Sequence, residues 1–280
     1  MKIIDGKKIS EEILAEIKKE TAQLSFQPIF TDVLVGDDLA STQYVRKKAK
    51  TAEAVGIQFR DAHFPAEITT EELIREIQVL NKIPNMCGII VQLPLPEHLD
   101  RQKVLDSIDS ELDVDCLGKI ASQKFFNNES GLGYPTALAC LKILDSLNLD
   151  LSNRKIVVLG QGTLVGRPVA HLLRSRGLSV ETANSRTENI SALLREADVI
   201  ISGIGQGKFI DGTMIKKGAI IIDAGTSEEN GAVVGDVDFE SVQNVAGYLT
   251  PSPGGVGPVT VAMLLDNVLK VAKSKEKEYE

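Results

Sequence analysis

The stretch Val157-Val158-Leu159-Gly160-Gln161-Gly162-Thr163-Leu164-Val165-Gly166-Arg167-Pro168 constrains this chain most. Three apolar strand-formers run straight into a glycine turn. Pro168 then stands where a helix should begin, a position that needs no backbone N–H. A buried strand, a tight turn and a helix are predicted in that order. The pattern recurs around it: strands at 155–159, 178–182, 199–202 and 219–223, with helical stretches at 167–176 and 188–196 separating the first three. Strand–helix–strand units repeated in this way force a parallel sheet with right-handed crossovers. The first half alternates similarly. A helix is expected from Ser10 to about Leu24, a buried strand over Ile29–Val35, and a helix capped by Ser41 and ended by Gly56. A second strand follows over Ile57–Phe64, then a helix behind the capping-box pair Thr69 and Glu72, then a strand at Gly88–Val91 stopped by Pro94 and Pro96. A long helix is read from Pro135 to Leu147. A last helix, opened by Pro258, carries Val261, Leu264, Leu265 and Val268 on one face, and a charged tail, Lys273–Glu280, is expected to fray.

Glycines at a strand-to-helix turn let the backbone approach a pyrophosphate, whose charge meets the positive end of the helix. The spacing here, G-x-G-x-x-x-G, is one residue longer than the usual dinucleotide fingerprint, and a ligand-free tight turn stays open as the alternative. The acid or cation that selects between NAD and NADP is expected about 20 residues on, at the end of the next strand. That end reads Ala183-Asn184-Ser185-Arg186; Arg186 could meet a phosphate or serve as a solvated charge, and Glu181 is a weak acidic candidate.

Tyr44 and Lys48 are four apart in the predicted second helix, which puts them on one face with Cβ atoms about 5–6 Å apart. A phenol beside an amine can orient a ring and handle protons, and as a general base the lysine must be partly neutral, which burial or a nearby cation favours. An exposed basic face is the plainer reading of this motif alone. Gln92 follows a strand's carboxyl end, where ligands gather in open α/β sheets, and an ordinary loop glutamine stays open as the alternative. Asp113-Val114-Asp115 could ligate a metal, receive a donor-rich heterocycle or simply be solvated. Thr250 to Thr260, with three glycines and three prolines, reads as a rigid loop suited to close approach ahead of a helix, a mere linker being the alternative.

Charge and cysteine usage exclude several classes. The 31 basic and 39 acidic side chains leave a net −8, which gives no general attraction to nucleic acid. Three scattered cysteines fit a reduced cytosolic protein better than a disulfide framework. The three histidines lie near neither one another nor a cysteine, so no zinc spacing exists. No signal peptide is visible, and the apolar runs of four or five residues fall far short of the about twenty a membrane span needs.

Taken together, Val35-Gly36 with Ala40, Ser41, Tyr44 and Lys48, then Val91-Gln92-Leu93-Pro94-Leu95-Pro96, Asp113-Val114-Asp115, Gly160 with Val165, Gly166 and Pro168, and Pro253-Gly254-Gly255-Val256-Gly257-Pro258 with Thr260 resemble, in order and over nearly the whole chain, the tetrahydrofolate dehydrogenase/cyclohydrolase family. That resemblance implies an α/β fold of two domains. Residues 1–133, completed by the C-terminal helix 258–280, would form the folate-binding catalytic domain, and 134–257 a Rossmann-like NAD(P)-binding domain, with a cleft between them. It implies a cytoplasmic homodimer of one-carbon metabolism, serving purine biosynthesis. Such an enzyme oxidises 5,10-methylenetetrahydrofolate to the methenyl cation with a nicotinamide dinucleotide and hydrolyses that cation to 10-formyltetrahydrofolate. By the same resemblance Lys48, Tyr44, Gln92 and Asp115 are catalytic. Lys48 activates water or polarises the reacting centre, Tyr44 packs on the folate, Gln92 tunes Lys48 and Asp115 accepts from the pterin. Val91, Leu93, Pro253, Gly254, Gly255, Val256 and Gly257 complete the folate site, while Gly160, Gln161, Gly162, Val165, Gly166, Ser185, Arg186 and Thr226 hold the cofactor. No metal is implied.

The chain departs from the family where Gln161 replaces the arginine that usually meets the 2′-phosphate. NADP is the expected cofactor, with NAD possible on that account; Ser185, Arg186 and Arg167 could compensate. Leu112 and Cys116 replace the usual lysine and glycine beside Asp-Val-Asp, and Tyr134-Pro135-Thr136-Ala137 replaces P-C-T-P. Two alternatives stand: a dehydrogenase-only, NAD-linked enzyme, and a non-catalytic folate- or nucleotide-binding module.

Overall fold

The computed structural model describes residues 1–229 and 231–279. In chain order the elements are β1 (Lys2–Ile3), α1 (Gly6–Thr21), β2 (Ile29–Val35), α2 (Leu39–Ala54), β3 (Gln58–Phe64), α3 (Thr70–Leu80), β4 (Met86–Val91), α4 (Arg101–Asp106), α5 (Lys119–Phe126) and α6 (Pro135–Ser146). There follow β5 (Ile156–Leu159), α7 (Gly166–Ser175), β6 (Val180–Ala183), α8 (Ile190–Glu196), β7 (Val199–Ser202), β8 (Ile220–Asp223), β9 (Ser227–Glu229), β10 (Ala232–Val234), α9 (Phe239–Val242), β11 (Tyr248–Leu249) and α10 (Val256–Tyr279). The chain divides into two compact units, Met1–Glu11 with Thr136–Thr260, and Glu12–Pro135 with Val261–Glu280.

The first unit is built on a six-stranded sheet in the order β1-β11-β8-β7-β5-β6, every pair parallel. Its central strands β5, β7 and β8 are buried along their whole length. They therefore read as unbroken Val/Ile runs rather than as alternation, as strands covered on both faces must. From β5 the chain steps to β6 on one side and then to β7 on the other. The crevice where that direction reverses lies at the strands' carboxyl ends, over the glycine turn.

The second unit carries a parallel three-stranded sheet, β3-β2-β4. β2 and β4 are buried, while β3, an edge strand, spends Arg60, Asp61 and His63 on solvent. Phe30, Ile57, Leu73, Ile77, Met86 and Ile89 fill its core, and Leu265 and Val268 of α10 join them. The expected capping box is present in full: Thr69 Oγ1 accepts from the Glu72 N–H, and Glu72 returns the bond to the Thr69 N–H.

Some boundaries differ from the sequence reading, each for a local reason. α1 begins at Gly6, because Asp5 Oδ1 already accepts from the N–H groups of Lys7 and Lys8. α2 is capped by Asp38, not Ser41; the Asp38 carboxylate accepts from the Ser41 N–H at 2.7 Å. The last helix starts two residues before Pro258 and continues through the tail to Tyr279, where Lys273 pairs with Glu20, and Glu276 accepts from the Ser25 N–H and hydroxyl. Residue 280, the end of that expected helix, lies outside the described residues.

Candidate active site

In the second unit, α2 places Lys48 over the carboxyl half of the sheet, and the lysine is only 3% exposed. The exposed basic face that Tyr-x-x-x-Lys allowed is therefore not what forms. Lys48 Nζ donates to Gln92 Oε1 at 2.8 Å and lies 2.5 Å from Asp32 Oδ2. It also stands 4.8 Å from the centre of the Tyr44 ring, one helical turn earlier, where the ring's negative face attracts the cation. Gln92 comes directly after β4, its N–H bonded to the Val33 carbonyl. Its side-chain amide donates to the Leu93 carbonyl at 2.9 Å, which leaves Oε1 turned toward the lysine. Val91 is buried as the last residue of the strand, and Leu93 is half-buried beside Gln92.

Tyr44 keeps 39% of its surface exposed, enough to offer a ring face to a planar ligand. Its phenol is pushed up to about 12, first by desolvation and then by the carboxylates of Asp115 and Asp32. Near neutral pH it keeps its proton, so it positions rather than transfers.

The two aspartates of Asp-Val-Asp separate in role. A backbone bridge joins Asp113 to Ile89, and Ile89 donates to the Leu112 carbonyl, so the loop is sewn along β4. Asp113 points inward, 1% exposed, and accepts from the Gly118 N–H at 2.7 Å; it shapes the loop. Val114 is fully buried, and Asn267 of α10 donates to its carbonyl and to that of Gly133. Gly88 makes room: a Cβ there would come within 2.8 Å of Val268 and 3.1 Å of Val114. Asp115 is thereby presented to the cluster around Lys48. Desolvation first, and the charges of Asp113 and Asp32 after it, push its carboxyl up to about 7 against the pull of Lys48. Among the described residues no group of three His, Cys, Asp or Glu could hold a metal.

In the first unit, the turn after β5 is tight because it must be. Gly160 has φ +94°, and a Cβ on it would meet the Gly203 carbonyl oxygen at 2.7 Å. A Cβ on Gly166 would stand 1.9 Å from the Gly160 oxygen, so α7 starts almost against the turn, with Val165 as its N-cap residue. Gly162 meets nothing within 4 Å. That open backbone at a helix start is the cradle a pyrophosphate requires. Gln161 turns back on itself, its amide donating to the Gly160 carbonyl at 2.5 Å. Ser185 and Arg186 are exposed in the turn after β6, and Thr226 is exposed after β8. The loop from Pro253 to Gly257 also belongs to this unit. Gly255 is buried there, where a Cβ would strike Pro251 and Thr250, and Gly6 packs against the Gly255 carbonyl.

Two groups escaped the sequence reading. Asp32 is the one charged residue in a strand that is apolar except for it and Thr31, and that interruption was its signal. Asp236 and Asp223 hold the first unit's carboxyl-end loops: Asp236 accepts from Ser202, Ile204 and Gln206, and Asp223 from Gly225, Asp236 and Val237. Each lies far in sequence from most of its partners, so no local pattern announces it.

The sequence matches two family models, the catalytic domain of tetrahydrofolate dehydrogenase/cyclohydrolase over residues 4–115 and its NAD(P)-binding domain over 134–276. It is 41% identical over 277 residues to the bifunctional protein FolD of Halothermothrix orenii, covering 97% of this chain and 98% of that one. The FolD methylenetetrahydrofolate dehydrogenase/cyclohydrolase of Campylobacter jejuni superposes with a TM-score of 0.94 at 39% identity, over 98% of this chain and 99% of that one. The Trypanosoma brucei enzyme, solved with NADP and an inhibitor, superposes with a TM-score of 0.91 at 36% identity, covering 98% and 97%.

Proposed function

The chain belongs to the tetrahydrofolate dehydrogenase/cyclohydrolase family, and from that premise we propose that it carries both activities, oxidising 5,10-methylenetetrahydrofolate and hydrolysing the methenyl product to 10-formyltetrahydrofolate. The observation that carries the reading is the buried Lys48 held between Asp32 and Gln92 under the Tyr44 ring. A hydride step alone needs no such amine, since a methylene flanked by two nitrogens gives up hydride once aligned. Hydrolysis needs a group that activates water beside a cation, and Lys48 is built in for it. Tyr44 supplies the surface on which the pterin packs, and Asp115 the acceptor for its N–H donors. Pro253, Gly254, Gly255, Val256 and Gly257 are assigned to folate on family grounds.

The glycine turn fits a dinucleotide: Gly160, Gly162 and Gly166 leave backbone bare at the start of α7. When bound, the nicotinamide supplies the hydride acceptor. Val165, Ser185, Arg186 and Thr226 complete its site. We place NADP ahead of NAD because Ser185 and Arg186 occupy the turn where the 2′-substituent is read. Gln161, neutral and bonded to Gly160, adds no charge there, so the preference is expected to be modest, about tenfold. To this we add, on the family resemblance, a homodimer working in the cytoplasm. Among the described residues no helix is long and apolar enough to cross a membrane.

The test is a coupled assay with each dinucleotide. Methylene substrate should yield 10-formyl product, with NADP favoured; accumulation of the methenyl species without hydrolysis would leave a dehydrogenase only. No turnover at all would leave a binding module.

Asp115→Asn separates function from stability. A carboxyl whose folded pKa is raised binds its proton more tightly folded than unfolded. Its ionisation therefore costs the fold above about pH 7, and the cost fades as pH falls toward the unfolded value of about 3.9. The variant should be more stable than wild type by about 1–2 kcal/mol near pH 8, allowing for partial exposure, with a smaller gain in acid. It should also bind folate about tenfold more weakly. Urea midpoints at two pH values decide it; an equal gain at both contradicts the sign.

A further inference from the structure

Asp32 sits in the middle of β2, the central strand of its sheet, and is fully buried. Beyond its contact with Lys48, neither carboxyl oxygen has a hydrogen-bond partner among the described residues. A lone carboxyl in a core strand costs several kcal/mol unless something answers it. Here one thing does, the amine on which the proposed hydrolysis depends. Lys48 presents three N–H directions as an ammonium; Asp32 Oδ2 takes one and Gln92 Oε1 another. One position on nitrogen is left for water.

We propose that Asp32 is a positioning residue for the hydrolytic step, fixing Lys48 and accepting its proton when the cationic folate arrives. This rests on the bifunctional reading above. As an ion pair, Lys48 is no base. Transfer of one proton from the ammonium to the carboxylate gives a neutral amine and a neutral acid without loss of a proton to solvent. The approaching methenyl cation drives that transfer by repelling the ammonium. The sequence then balances. Water oxygen bonds to the bridging carbon, and a water proton passes to the Lys48 amine. The bond from that carbon to the ring nitrogen N5 breaks as N5 takes the proton back from Lys48. The remaining hydroxyl proton leaves to solvent as the formyl carbonyl forms, and Asp32 returns its proton once product departs. One water is consumed and one proton released, as conversion of a cation to a neutral formyl product demands.

The titratable and charged groups facing Asp32 are Lys48 and Tyr44 of α2, Asp61 opposite it on β3, and Asp115 of the loop after β4. Desolvation raises the Asp32 carboxyl above the ordinary aspartate range and Asp61 adds to it, while Lys48 opposes both. Burial thus raises the carboxyl's own proton affinity, which favours its taking the proton of the ammonium it already touches.

The experiment compares wild type, Asp32→Asn and Asp32→Glu across about pH 6 to about pH 8, following loss of the methenyl chromophore with the spontaneous reaction subtracted. In wild type the proton moves inside the pair, and bound pterin donors hold Asp115 ionised, so kcat for hydrolysis should be nearly flat with pH. In Asp32→Asn it must go to solvent. Hydrolytic kcat should fall at least about tenfold further than dehydrogenase kcat, with little change in KM, and should rise with pH at a slope near one in log units. Asp32→Glu keeps a carboxyl and should keep a flat profile at reduced kcat. An Asn variant that is folded by circular dichroism and hydrolyses with the wild-type profile overturns the inference. If the Asn variant does not fold, a rising limb in the Glu variant overturns it instead. Wild type that performs no hydrolysis overturns the function reading itself, a distinct result.

Discussion

Replacing Lys48 with methionine is expected to cut hydrolysis of the methenyl substrate by about 10²–10⁴-fold, the usual worth of a positioned acid–base group. Methionine fills nearly the same volume and keeps the apolar stem, so the loss reports the amine and not a cavity. Hydride transfer should fall far less, because it draws on alignment by Tyr44 and Asp115 rather than on a proton acceptor. The ratio of the two activities, measured on one preparation, is the result that matters. A parallel fall in both would show that Lys48 only holds the folate. The same variant leaves Asp32 buried without its counter-charge. Breaking such a pair costs about 3–5 kcal/mol if the remaining carboxyl stays ionised. Its protonation relieves that cost, so the destabilisation should grow as pH rises; a loss of melting temperature independent of pH would contradict it.

Gly166→Ala is expected to abolish dinucleotide binding at working concentrations. The added methyl carbon would lie 1.9 Å from the Gly160 oxygen and 2.6 Å from its carbon, both backbone atoms with no flexible end to yield. α7 must move away from the turn, and the N–H groups at its start move with it. A weakening of at least about 100-fold corresponds to only about 3 kcal/mol, within what such overpacking and lost alignment supply. Calorimetric titration with NADP checks the affinity. Hydrolysis of supplied methenyl substrate, which needs no dinucleotide, should survive and so report an intact second unit. Gly162→Ala meets no atom of the chain within 4 Å and should keep the wild-type melting temperature. Tight NADP binding by Gly166→Ala would mean that the turn does not cradle the pyrophosphate.

Much of the architecture was legible because its signals are local. The Thr69–Glu72 box, the Val157–Leu159 strand meeting Gly160, and the Val/Ile runs of the parallel sheet each declare themselves within a few residues. The misplaced helix starts at Ser10 and Ser41 show the limit of that logic. A second acceptor a few residues upstream, Asp5 or Asp38, takes the free N–H groups first, and spacing alone does not rank the two. β1 and β11, two residues each, were unreadable, since strands so short are defined by partners distant in sequence: β11 for β1, and β8 with β1 for β11.

What the amino-acid order settled by itself was the parallel α/β plan, the glycine turn and the pairing of Tyr44 with Lys48 on one helical face, all consequences of backbone geometry within a turn or strand. What only tertiary structure decided was whether that face would be wet or dry. Lys48 is withdrawn from solvent because β2 and β4 deliver Asp32 and Gln92 beneath it from positions 16 and 44 residues away. Periodicity measures which side of a helix a residue occupies; the charge state and use of that residue depend on what the rest of the chain brings to it.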